Sequence, residues 1–216
     1  MRGDKMSIGL EPSELLDLIN QRSLIEVVFR YWLGRWPEQN EKQLVEMMMV
    51  VVIDHGEESP SARASIEASQ RGEDLLRSVE AGVHEINERH GGAIEGLGRI
   101  LYEDTREVKE IVADFLSQEK RLPGFGHRIY KDVDPRTKCL FEQAKKLGFA
   151  GNYVDKTIAL EEELEIQKGN KLVINIDGAM AALLCELGVK TEMMNAFFLW
   201  PRVAGLVHRW QVTKAK

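Results

Sequence analysis

Helix punctuation runs the length of this chain and leaves little room for a sheet. Ser23 is followed by Glu26 and by an apolar run that Gly34 closes, the pattern of a capping box with a glycine stop. Ser59-Pro60 and Asp134-Pro135 each place proline at a first helical position, where its missing N–H costs nothing, and Gly148 follows Lys145 and Lys146 as a second stop. Residues 44–53 are apolar nearly all round, which predicts a helix buried on most sides. Further helices are expected near 15–19, from a cap at Asn40, over 59–70, 74–88 and 94–101, from a cap at Thr105 to about 119, over 154–166, and from a cap at Thr191. Only Lys171-Leu172-Val173-Ile174-Asn175-Ile176-Asp177-Gly178 reads as extended, and it reads best as a short entry into a helix over 179–187 with Asp177 near its N-terminus. There is no repeat, heptad pattern or low-complexity linker, so the fold class is all-α.

Chemistry concentrates in residues 122–136, Leu-Pro-Gly-Phe-Gly-His-Arg-Ile-Tyr-Lys-Asp-Val-Asp-Pro-Arg. Two glycines permit close backbone approach, His127 follows, and Arg128, Lys131 and Arg136 crowd in behind it. The whole chain carries a net charge of −6, which argues against a general nucleic-acid binder. Yet between residues 120 and 138 Lys120, Arg121, Arg128, Lys131, Arg136 and Lys138 stand against only Asp132 and Asp134, a basic neighbourhood suited to a small anion. Cys139 and Cys185 have no paired spacing, so neither a disulfide framework nor a cysteine zinc site is indicated. No apolar run reaches the length of a membrane span and the start, Met-Arg-Gly-Asp-Lys-Met, lacks a signal-peptide core, so a soluble cytoplasmic protein is expected.

Three of five histidines sit beside glycine: His55-Gly56, His90-Gly91-Gly92 and Gly126-His127. His84 and His208 read as ordinary packed or surface residues. A histidine metal site lacks helix spacing, a serine hydrolase would need a Gly-x-Ser-x-Gly elbow, and the Gly124-Phe125-Gly126 turn has no third glycine for a dinucleotide fingerprint. Acid–base chemistry at carbon fits better. Asp177 lies in an apolar run that would raise its basicity, and neutral imidazoles can donate to an oxygen on which charge develops. The acidic run of Glu161, Glu162, Glu163 and Glu165 reads as a solvated helix face.

At these residues the chain resembles the citrate synthase superfamily, and among its branches the short citryl-CoA lyase form, also found as a module at the end of ATP-citrate lyase. The similarity spans essentially residues 23–210. It rests on Pro123-Gly124-Phe125-Gly126-His127-Arg128-Ile129-Tyr130-Lys131 with Asp134-Pro135-Arg136, supported in order by Asp54-His55-Gly56, His90-Gly91-Gly92-Ala93, Asn175-Ile176-Asp177 and Arg202. The resemblance implies that Asp177 is the base for the acetyl-CoA methyl, that His90 donates to the thioester oxygen, and that His127 donates to the keto oxygen of oxaloacetate. His55, Arg136 and Arg202 would hold the dicarboxylate, Ser61 would orient His90, and Gly124, Phe125 and Gly126 with Arg128 and Lys131 would receive coenzyme A. Run backwards, the same groups cleave citryl-CoA. Coenzyme A thioester enters as substrate, with no permanently bound cofactor and no metal.

The resemblance also implies a helical fold with a large domain, residues 1–92 and 188–216, and a small domain, residues 93–187, closing over substrate in a homodimer, a larger assembly or beside a partner subunit. Relatives of this kind include condensing enzymes for another acyl-CoA or 2-oxo acid, as in methylcitrate synthase, and an inactive CoA-binding partner subunit is the remaining alternative. This sequence departs from the family pattern at Arg63, where the lyase branch often has histidine, and at Pro201 beside Arg202. The further carboxylate-binding arginine of long citrate synthases has no counterpart, and Arg209 is not a convincing substitute.

Overall fold

The computed structural model describes residues 12–87 and 90–215; residues 1–11, Glu88 at the expected end of the 74–88 helix, Arg89 and Lys216 lie outside the described residues. Within them are twelve helices and no strand, as the all-α reading expects. Where helix signals are local, the chain obeys them. α1 (Pro12–Leu18) is followed by α2 (Leu24–Leu33), where Ser23 and Glu26 cap each other reciprocally and Gly34 turns left-handed at φ 75°. α4 (Pro60–Gln70) and α8 (Pro135–Leu147) start on their prolines, and Gly148 ends α8 at φ 88°.

Three caps differ from expectation because long-range bonds outbid local ones. α3 (Gln39–Val52) is capped by Glu38 with Glu41, which Arg35 draws into the turn at 2.5 Å; Asn40 lies inside the helix and donates instead to Leu147 O at 3.2 Å. α5 (Leu75–His84) and α6 (Ala93–Glu103) precede α7 (Val108–Ser117), which starts after Glu107 rather than Thr105, since Asp104 binds the Arg106 amide and guanidinium and holds the approach as a turn. α9 (Asn152–Lys168) and α10 (Ile176–Glu186) follow. Thr191 begins only a single turn, α11 (Thr191–Met194), and α12 (Ala196–Lys214) starts anew with Pro201 inside it. The break falls at Asn195, whose amide side chain accepts from Glu95 N–H and donates to the Glu95 carboxylate across the fold.

α10 is the hub. Its sequence is apolar all round with Gly178, Ala179, Ala181 and Ala182 keeping it slim, and every residue from Gly178 to Cys185 is buried. α6, α8 and α9 pack around it, while α7 lies on α9. α2, α3, α4, α5 and α12 form a second packing group, joined to the first where α3 meets α8 and α11 meets α12. Among the described residues no helix is long and apolar enough to cross a membrane.

Candidate active site

The extended stretch before α10 and the glycine turn that chemistry singled out are one unit. Gly126 N–H donates to Val173 O at 2.7 Å, Asn175 N–H to Gly124 O at 3.0 Å, and the Asn175 side-chain amide to Gly126 O at 3.0 Å while its oxygen caps Gly178 N–H. Gly124 and Gly126 both hold φ 85°, and a Cβ on either Gly124 or Gly178 would collide with the other segment. So the glycines set the contact between the His127 loop and the start of α10, and Asn175 fixes where Asp177 begins its helix. Glu161 belongs to this unit too: its carboxylate accepts Ile174 N–H at 2.5 Å, so one member of the acidic run that sequence alone left to solvent pins the Asp177 segment.

Asp177 is half-buried. Burial nevertheless pushes its pKa up from 3.8 to about 6, against the pull of the Gly91 amide, Arg136 and Arg202. A carboxyl so placed is ionised at neutral pH yet unusually basic. Gly91 turns at φ 83°, and a Cβ there would lie 2.5 Å from the Phe198 ring. Gly91→Ala therefore meets strain and overlap together, and should cost about 3 kcal/mol, or a Tm fall on the order of 10 °C by calorimetry. An unchanged Tm would mean that Phe198 swings aside freely.

Around Phe198, which is fully buried, three candidate residues gather. His55 and His90 each approach its ring edge-on at 5.5 Å, their own rings are 6.2 Å apart, and the Arg202 guanidinium lies over it at 4.8 Å. Ser61, buried on α4, places Oγ 2.8 Å from His90 Nε2. Burial, reinforced by Arg202, pulls His90 down to about 4; burial with Arg202, Arg136 and the neighbouring histidines pulls His55 to about 2. Both rings are neutral at physiological pH. Arg202 is 1% exposed and donates Nη2 to Val52 O at 2.6 Å, but its Nε and Nη1 have no partner, and neither has His55 Nε2. Three buried orphan groups beside one another are what an anion would satisfy.

His127 lies ahead of α8 and within electrostatic reach of His55. Its Nδ1 accepts from the Ile129 and Tyr130 amides, each at 3.1 Å, so the neutral ring carries its proton on Nε2. That Nε2 lies 3.1 Å from Arg136 Nη2, itself a donor. Two donors face each other, and an oxygen arriving between them would relieve both. Arg136 is held in place by the buried Asp134, which takes its Nε at 3.0 Å and Nη2 at 2.6 Å. Burial first, then the surrounding cations, keep the His127 pKa below its ordinary value despite Asp134. Lys131 caps His127 O at 2.9 Å, and Arg128 is exposed without an ion pair among the described residues. Among the described residues no cluster of acids, histidines and cysteines is arranged to hold a metal.

Residues 4–216 match the family described as citrate synthase, C-terminal domain. The chain belongs to the citrate synthase family. A solved citryl-CoA lyase from Hydrogenobacter thermophilus is similar to it at 40% identity and a TM-score of 0.86, over 92% of this chain and 79% of that one. An ATP citrate lyase from Methanothrix soehngenii, solved with citrate and coenzyme A, aligns at 26% identity and a TM-score of 0.82, over 96% of this chain and 36% of that one. A probable ATP-citrate synthase of Dictyostelium discoideum is 28% identical over 226 residues, which cover 95% of this chain and 36% of that protein. The chain thus spans about a third of the length of the ATP-citrate synthases it matches.

Within this family fold the structure brings His55, Ser61, His90, His127, Arg136, Asp177 and Arg202 within hydrogen-bonding, ring-contact or electrostatic reach of one another. The polar groups recorded for Gly124 and Gly126 are spent on residues 173–175. Sequence reasoning missed Phe198 as the common support of three site residues; its one signal was a position four before Arg202 on a helix.

Proposed function

We propose that this chain interconverts citryl-CoA with acetyl-CoA and oxaloacetate, working in the cytoplasm as a homodimer or within a larger assembly. The observation that carries the reading is a basic, desolvated Asp177 that meets the Gly91 amide, next in sequence to neutral His90, and feels Arg202, whose unpartnered Nε and Nη1 share Phe198 with an unpartnered His55 Nε2. In condensation Asp177 takes a proton from the acetyl-CoA methyl while His90 donates to the thioester oxygen, so the enolate forms without a free anion. The enol carbon then attacks oxaloacetate, whose keto oxygen receives the His127 Nε2 proton and whose carboxylates meet His55, Arg136 and Arg202. Cleavage is the microscopic reverse and starts from the opposite protonation states: His127, having lost its Nε2 proton, takes the hydroxyl proton, the carbon–carbon bond breaks, and protonated Asp177 gives its proton to the enolate carbon. Ser61 would set the His90 ring.

Coenzyme A would use the Phe125, Arg128 and Lys131 side chains, with Gly124 and Gly126 shaping the turn beneath. The two packing groups would act as lobes, 1–92 with 188–216 against 93–187, closing to exclude water. The purified chain, given citryl-CoA, should release oxaloacetate and acetyl-CoA. Binding of coenzyme A or oxaloacetate by calorimetry without any turnover would overturn the reading in favour of an inactive partner subunit.

A further inference from the structure

α12 grips the turn after α3 at three successive levels. Arg202 takes Val52 O. Three residues on, Gly205 lies so close that a Cβ would collide with Ile53 O. Four residues further, Arg209 donates Nη2 and Nε to the Asp54 carboxylate, the latter at 3.3 Å, and Nη1 to Glu57 at 3.1 Å. Steps of three and four place all of them on one helix face. His55 sits between the two acids that Arg209 holds, with its Nε2 buried and unpaired.

Apart from the His55 ring against Phe198 and His90, little else restrains this turn. Gly56 is left-handed at φ 81°, a shape with no side chain to anchor it, and the internal bonds recorded are those from the Ser59 amide and hydroxyl to Gly56 O. The Asp54 and Glu57 side chains are 36% and 58% exposed and have no other hydrogen-bond partner among the described residues. Arg209 is 12% exposed, so its fork is fixed by packing as well as by charge, unlike a mobile surface pair. With Nε, Nη1 and Nη2 all turned to protein carboxylates, it is not itself available to a substrate carboxylate.

We propose that Arg209 is a positioning residue for the dicarboxylate pocket: by bracketing His55 between Asp54 and Glu57, it aims His55 Nε2 at the substrate. The proposal rests on the functional reading above, and its test separates the two. Without ligand, Arg209→Gln should speed amide hydrogen exchange in residues 53–57 and leave α4 and α10 unchanged, while Arg209→Lys should show a smaller effect. Unaltered exchange in 53–57 overturns the proposal whatever the substrate is. By calorimetry, Arg209→Gln should weaken oxaloacetate about tenfold with coenzyme A affinity retained, and Arg209→Lys should recover part of the loss. Equal loss of both ligands would mark a general structural role and overturn it. If the intact protein binds no oxaloacetate, the functional reading fails, and the exchange result still decides whether Arg209 fixes the turn.

Discussion

Asp177→Asn should abolish the proposed cleavage and stabilise the protein. The amide removes the base but keeps an oxygen for the Gly91 N–H and nearly the same volume, so geometry survives and proton transfer does not. A general base contributes on the order of 10²–10⁴ in rate, and kcat for the proposed citryl-CoA cleavage should fall by that much. The stability change follows from the raised pKa. The folded carboxyl protonates at about 6 and the unfolded one at 3.8. Below 3.8 both states are neutral and the charge costs nothing; as pH rises to 6 the folded state keeps a proton that the unfolded state releases freely. Above 6 the full penalty stands, about 3 kcal/mol at 1.36 kcal/mol per unit. Asp177→Asn removes it. Urea denaturation should show the variant ahead of wild type at pH 8, with the gap narrowing toward pH 5. Equal stability at pH 8 would mean that water reaches the carboxylate after all.

The elements that sequence placed well are those whose determinants lie within one helical turn. Ser23 with Glu26, and Asp134 with Pro135, need only each other, and both starts stand where local rules put them. Asp177 was legible for a related reason: an ionisable residue in an apolar run that passes from extended into helix announces a desolvated helix start. What local rules misplace is what distant residues decide. Asn40 has the chemistry of a cap but finds Leu147 O, and Asn195 interrupts the last helix because Glu95 competes for its side chain. Glu161 looks like its acidic neighbours in every local respect, and only the fold brings Ile174 N–H to it. Arg209 likewise acts through residues more than 150 positions away, and nothing in its own surroundings foretells that.

The same burial that tunes the site should make the apoprotein acid-labile. His55 and His90 have their pKa values lowered from 6.5 to about 2 and about 4. An unfolded chain takes up both protons near 6.5, whereas the folded site refuses them, so this contribution is intact above 6.5 and drains away as pH falls. Each histidine costs about 1.4 kcal/mol per pH unit, roughly 2.7 together, between 6 and 4. Asp177 runs the other way across the same window, since its folded carboxyl protonates first, and cancels about half of that slope. Guanidinium denaturation at pH 7, 6 and 5 should therefore show stability falling by about 1.4 kcal/mol per unit. Asp177→Asn should steepen the fall toward the two-histidine value, and His55→Gln should flatten it. A dicarboxylate bound between His55 and Arg202 would give both a counter-charge, so oxaloacetate should blunt the acid loss in wild type and do so less in His55→Gln. A slope that none of these changes would place the acid-sensitive groups outside this cluster.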